Sequence, residues 1–172
     1  IVCGDSIISG AILRILEGIR KKSKINILYI KPNISTLSET RKLQERTSFY
    51  ILQEYARSGI FKQMFIIQNE LVGSIVGGVP IIDYYKHLNA IIVSTIHMIN
   101  VFNNTEPVMG TFSDPRATAR ISTIGMLDMK TGKEQPFFNL DNLCEKRYYY
   151  AIPEKVLQTD RKLLSKIMDQ VK

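Results

Sequence analysis

Three groups of residues have the types and spacing to hold a phosphorylated aromatic ligand. The first is Gly4-Asp5-Ser6-Ile7-Ile8-Ser9-Gly10. A small-residue loop between a strand and a helix can offer backbone N–H groups and a helix N-terminus to phosphate. Asp5 opposes that role unless a metal or water intervenes, and a plain tight turn is the competing reading. The second is Asn69, which follows an apolar run; its amide can both donate to and accept from a base edge, or bond its own backbone in a turn. The third is Tyr85-Lys86-His87-Leu88-Asn89, where Tyr85 and Asn89, four apart, share a helix face. There an aromatic ring could stack on a base while the amide reads its edge; core packing and an internal hydrogen bond are the alternatives. His87 and His97 have no nearby cysteine or paired acid, so they predict no metal site. No nucleophile with a His base stands out.

The elements that must position these groups alternate. A strand ends at Ile1-Val2-Cys3, and a helix follows over 9–22 with Ile12, Ile15, Leu16 and Ile19 on one face and Arg20-Lys21-Lys22 in its last turn. Residues 25–30 (INILYI) read as a buried strand stopped by Pro32-Asn33. Ser38 caps a helix whose apolar side carries Leu43, Thr47, Tyr50, Ile51 and Tyr55, ending at Ser58-Gly59. Residues 64–67 form a second buried strand, and Asn69 opens a short turn or helix broken at Gly77-Gly78. Pro80 suits the first turn of a long helix ending near 102. Its apolar residues lie nearly all round, which predicts burial on every side.

This alternation predicts an α/β fold, a parallel sheet with helices on both faces and a long buried core helix. Composition shifts after Asn103-Asn104. Strands are expected over 119–129 and 147–152, and Thr159 is expected to cap a last amphipathic helix. The expected division is therefore residues 1–102 and residues 103–172, the latter the start of a smaller α+β domain.

The chain has 172 residues, 45% hydrophobic and 23% charged, which excludes a disordered tail or a fibrous repeat. The net charge of +7 favours anionic partners. Cys3 and Cys144 match no zinc or disulfide framework and suit a reducing compartment. Residues 91–102 are interrupted by Ser94, Thr95, His97 and Asn100 and fall short of the ~20 apolar residues of a membrane span. A start at Ile1 rather than Met suggests a piece of a longer protein.

Taken together, the order of these pieces resembles the tubulin/FtsZ superfamily over residues 2–114. Ile30-Lys31-Pro32-Asn33 and Ser38-Glu39-Thr40-Arg41-Lys42 stand where FtsZ carries its Arg-Pro-Phe and Glu-Gly-Arg-Lys stretches. Asn69-Glu70-Leu71 is similar to tubulin's Asn-Glu-Ala-Leu, and Tyr85-Lys86-His87-Leu88-Asn89 to its Tyr-x-x-Leu-Asn. Val76-Gly77-Gly78-Val79-Pro80-Ile81-Ile82-Asp83 is similar to FtsZ's approach to the same helix. Gly4, Ser6, Ser9 and Gly10 approximate the family's glycine-rich phosphate loop, and Asp114 is the one acid in register with its co-catalytic loop.

The resemblance implies a GTP-binding, filament-forming cytomotive protein of a divergent prokaryotic, plasmid or phage type. Guanine would meet Asn69, Tyr85 and Asn89; ribose would lie near Pro32, Glu39 and Arg41; GTP or GDP, with Mg2+, would rest its phosphates on the loop. Asp114 would act on the next subunit's nucleotide, giving assembly-dependent hydrolysis. The partners implied are further copies of the chain, head to tail, and a DNA-bound adaptor or a phage or plasmid cargo, in the cytoplasm of a bacterial or phage-infected cell. The alternative is a non-enzymatic structural, virion or adaptor protein on the same fold. An unrelated doubly wound domain that binds another nucleotide or nucleic acid is a third reading.

Overall fold

The structure, a computed structural model, describes residues 1–4, 6, 9–109, 116–129 and 131–171. Strands β1 (Val2–Cys3), β2 (Asn26–Lys31), β3 (Gln63–Gln68) and β4 (Ile121–Thr123) form one sheet in that order, every pair parallel. Helices α1 (Ser9–Ile19) and α2 (Glu39–Arg57) connect the first three strands, and α3 (Asn69–Val76) and α4 (Ile81–Asn103) follow β3. A second, two-stranded antiparallel sheet pairs β5 (Gly125–Leu127) with β6 (Glu134–Pro136). Helices α5 (Glu154–Thr159) and α6 (Leu163–Val171) end the chain.

The sheet is covered on both faces, and the pleat assigns its side chains. Ile27 and Tyr29 of β2 and Met64 and Ile66 of β3 join Leu16 of α1 and Leu52 and Ala56 of α2 in one cluster. Their neighbours in sequence, Leu28 and Ile67, point the other way and meet Val72 of α3 and Leu88 and Ile92 of α4. This is why both strands read as unbroken apolar runs. Each large apolar side chain buried this completely contributes ~1.5–3 kcal/mol relative to exposure.

Three expectations about the helices need correction. Helix α1 stops at Ile19, so Arg20, Lys21 and Lys22 lie in the turn beyond it; Leu16 is buried, but Ile15 and Ile19 are exposed. Helix α2 buries Glu45, Ser48, Leu52 and Ala56, while Leu43 and Tyr50 face out. Its inward face is the one that brings a carboxylate to the buried Tyr29 hydroxyl. Helix α4 is not buried all round. Leu88 and Ile92 are enclosed, but Ile81, Ile82 and Tyr85 are exposed, and Val93 is 62% exposed. At 23 residues it is ~35 Å long, whereas six-residue strands span ~20 Å, so its ends overhang the sheet that covers one side of it.

The sheet crosses the division expected at 103, because β4 is its fourth strand. Thr123 Oγ1 donates to the Ile66 carbonyl at 2.8 Å, and Gln63 Nε2 to Ser122 Oγ at 3.0 Å. Phe137, fully buried, accepts from the Gln68 N–H at 2.7 Å and so ties the end of the β5–β6 hairpin to the end of β3. Residues 147–152 form no strand; side-chain contacts hold them instead, Tyr149 stacking on Phe102 at 5.2 Å and Tyr148 bonding Glu134. Thr159 closes α5, and Asp160 accepts from the Lys162 N–H just before α6.

Candidate functional site

Parallel strands end on one side, and here β1, β2 and β3 end together: Cys3 is level with Ile30, and Lys31 with Gln68. The chain leaves β2 for the face covered by α1 and α2, and leaves β3 for the face covered by α3 and α4. Connections that part in this way open a crevice beyond the carboxyl ends of the strands, the usual place for a ligand in such sheets.

One wall of the crevice is the turn at Gly4. Its N–H donates to the Ile30 carbonyl at 3.0 Å, continuing the ladder past β1. A Cβ there would overlap the Tyr29 hydroxyl and come within 2.9 Å of Pro32 Cδ. Tyr29 is fully buried and Pro32 is buried, so neither can swing aside, and the turn needs glycine. Ser6 follows, its N–H donating to the Cys3 carbonyl at 3.1 Å. Ser9 is the first residue of α1 and Gly10 is exposed on it. Asp5 lies outside the described residues.

Beneath that turn is a group that the sequence reading missed. Tyr29 donates its hydroxyl to Glu45 Oε1 at 2.9 Å, and Lys31 Nζ stands 3.6 Å from the same oxygen and 4.3 Å from the centre of the Phe49 ring. The Glu45 side chain is only 4% exposed. A carboxylate this buried persists because it is paired; removing one partner typically costs about 3–5 kcal/mol. The signal was present in the sequence. Glu45 stands in line with Ser48, Leu52 and Ala56 at helical spacing, an acid in an inward stripe.

Asn69 forms the other wall. It is the first residue of α3, directly after β3, and its Oδ1 is buried without a hydrogen-bond partner. Gln68 does not cap the helix; its side chain donates to Glu70 at 2.9 Å. A buried acceptor left unpaired costs about 1–3 kcal/mol, a cost that a bound donor would remove.

The remaining expected residues are less enclosed. Glu39 and Arg41 are exposed in the first turn of α2, where Lys42 Nζ bonds Glu39 at 2.8 Å and holds its carboxyl below the usual range. Tyr85 is 69% exposed and meets Tyr84 edge-on at 5.4 Å, and Asn89 is exposed one turn further along α4. Tyr84 packs its hydroxyl against Gly73, which draws α4 close to α3. Gly4, Pro32 and Asn69 thus share the carboxyl edge, while Tyr85 and Asn89 stand on the outward side of α4. Asp114 lies outside the described residues. No group of three or more potential metal ligands occurs among the described residues.

A cavity of about 760 Å³ lies elsewhere, between the second half of α4 and residues 121–149. The acid on its wall is already engaged: Lys146 bonds Glu134 at 2.7 Å and Tyr148 bonds the same carboxylate, holding the Glu134 carboxyl below its usual range. The crevice, with its unpaired acceptor and close-approach glycine, is the better candidate.

The fold defines an α/β protein with a parallel sheet and helices on both faces, and Gly4, Pro32 and Asn69 stand at the carboxyl edge of that sheet. No protein-family model matches the chain, and neither does any curated protein or solved structure. Among the described residues no helix is long and apolar enough to cross a membrane.

Proposed function

We propose that this chain forms part of the guanine-nucleotide site of a tubulin/FtsZ-like protein that assembles head to tail into filaments and hydrolyses GTP on assembly. The observation that carries this reading is the buried, unpaired Oδ1 of Asn69, an acceptor at the carboxyl edge that fits the N–H donors of guanine. In this reading Tyr85, whose ring is open to a partner, stacks on the base, and Asn89 adds a second amide. Pro32, Glu39 and Arg41 border the ribose. The turn at Gly4, Ser6, Ser9 and Gly10 takes the phosphates, with N–H groups at the start of α1 oriented toward them. Mg2+ bound with the phosphates supplies charge neutralisation. Asp114 presents its carboxylate to the next subunit's nucleotide and orients water there. Head-to-tail contacts that do not close into a ring build a filament.

A non-enzymatic structural or adaptor role on the same fold is favoured by one observation: residues 4–10 contain two glycines, fewer than the family's phosphate loop. One set of measurements separates the readings. Nucleotide extracted from the purified protein should be GDP or GTP, and GTP should bind at least ~10-fold more tightly than ATP, about 1.4 kcal/mol. Assembled protein should release phosphate, and Asp114→Ala should abolish release while keeping GTP affinity. Equal affinity for ATP and GTP overturns the guanine assignment. GTP binding without release by the wild-type polymer moves the conclusion to the structural role.

A further inference from the structure

The opposite end of the sheet concentrates positive charge. Three neighbouring strands are entered there from a cation: Lys24 precedes β2 by two residues, and Lys62 and Arg120 immediately precede β3 and β4. The Lys62 N–H donates to the Ile25 carbonyl and the Met64 N–H to the Arg120 carbonyl, each at 2.8 Å. The three positions therefore lie at the entries of neighbouring strands, ~4.8 Å apart across the sheet and each one residue further along than the last. The Arg120 guanidinium lies over Gly59, with Nη1 3.1 Å from where a Cβ would stand, so glycine at 59 leaves it room. The turn after α1 adds Arg20, Lys21 and Lys22, all exposed, and Arg116 opens the short 3-10 turn before β4. A shallow recess lined by Ser23, Lys24, Gly59 and Lys62 lies among them.

The segments that carry these cations have no acidic residue of their own. Residues 18–25, 58–62 and 116–121 contain neither Asp nor Glu. The seven cations named account for the whole +7 of the chain; elsewhere Lys and Arg match Asp and Glu one for one. Among the described residues Arg20, Lys21, Lys22, Lys24, Arg116 and Arg120 make no ion pair, whereas nearby Arg57 is taken up by Glu54.

We infer that this end of the sheet is a binding surface for double-stranded nucleic acid, gripped through its phosphates without regard to sequence. A line of long, flexible cations, of which Arg20, Lys21, Lys22, Lys24 and Arg116 are exposed, fits a repeating polyanion rather than one small anion. The only aromatic side chain in the three segments, Phe61, is fully buried, so no stacking platform for single strands is offered. Ile15 and Ile19 of α1 are exposed nearby, two side chains where a membrane-lying helix presents a whole apolar face. The surface is ~20 Å from the crevice, the length of β2, so both could be occupied at once.

The test is fluorescence anisotropy of a labelled 30-base-pair duplex titrated with the full chain between 50 and 200 mM salt. Binding should weaken steeply with salt. The variant Lys21→Glu/Lys22→Glu/Lys24→Glu, at three exposed positions, should bind at least ~10-fold more weakly and flatten the log–log salt slope by roughly 3. Lys155→Glu/Arg161→Glu/Lys162→Glu carries the same charge change on α5 and the turn before α6 and should bind within about threefold of wild type. Thermal melts check folding, and the Gln versions at residues 21, 22 and 24 replace the Glu set if it melts early. Equal weakening in both triple variants overturns the inference. So does tighter binding to a single strand, or binding to phosphatidylserine vesicles with none to duplex.

Discussion

Ile92→Asp should yield protein with no cooperative thermal transition, while Val93→Asp, one residue along the same helix, should melt close to wild type. Ile92 is 4% exposed and packs with Leu28, Ile67 and Phe137 between α4 and the sheet. A carboxylate there has no partner, and an uncompensated buried charge costs about 3–5 kcal/mol on top of the lost apolar packing. That is comparable with the whole stability of an ordinary domain, about 5–15 kcal/mol. Val93 points away from the sheet, so its replacement should fall within about 0.5 kcal/mol. Circular dichroism melts of the two proteins decide the matter. Equal damage at both positions would mean that α4 is enclosed on its far side as well.

Asn69→Leu should move stability and binding in opposite directions. The side chain is partly buried and its Oδ1 has no partner, so an apolar replacement of similar size removes a polar atom that the ligand-free fold does not satisfy. The ligand-free protein should gain about 1 kcal/mol, which raises Tm by roughly 2–4 °C in a chain of this size. GTP affinity should fall by roughly 5- to 150-fold, because about 1–3 kcal/mol of base recognition is lost. Thermal melts without nucleotide and titration calorimetry with GTP measure the two effects separately. A destabilised variant with unchanged GTP affinity would make Asn69 an ordinary turn residue.

Much of the frame was legible in the sequence because its signals are local. The runs that became β2 and β3 are apolar at successive positions, the pattern of a strand covered on both faces, and Pro32 and Gly77-Gly78 mark breaks that the structure keeps. Placing Asn69 directly after a buried strand needed only the strand's end and the helix's start. Tertiary structure decided the rest. A hydrophobic stripe shows that a helix has a packed face but not which neighbour covers it, so α2 turned Glu45 inward to Tyr29 and left Leu43 and Tyr50 outside. The short run 121–123 carries no label for its partner; only pairing with β3 made it part of the first sheet. The enclosure of α4 likewise depends on how much sheet lies beneath it, and Asn69 Oδ1 lacks a partner only because nothing packed around it donates. Periodicity along the chain determines which segments are helix or strand. What meets a side chain across space is set by residues distant in sequence, and that arrangement exists only once the sheet has formed.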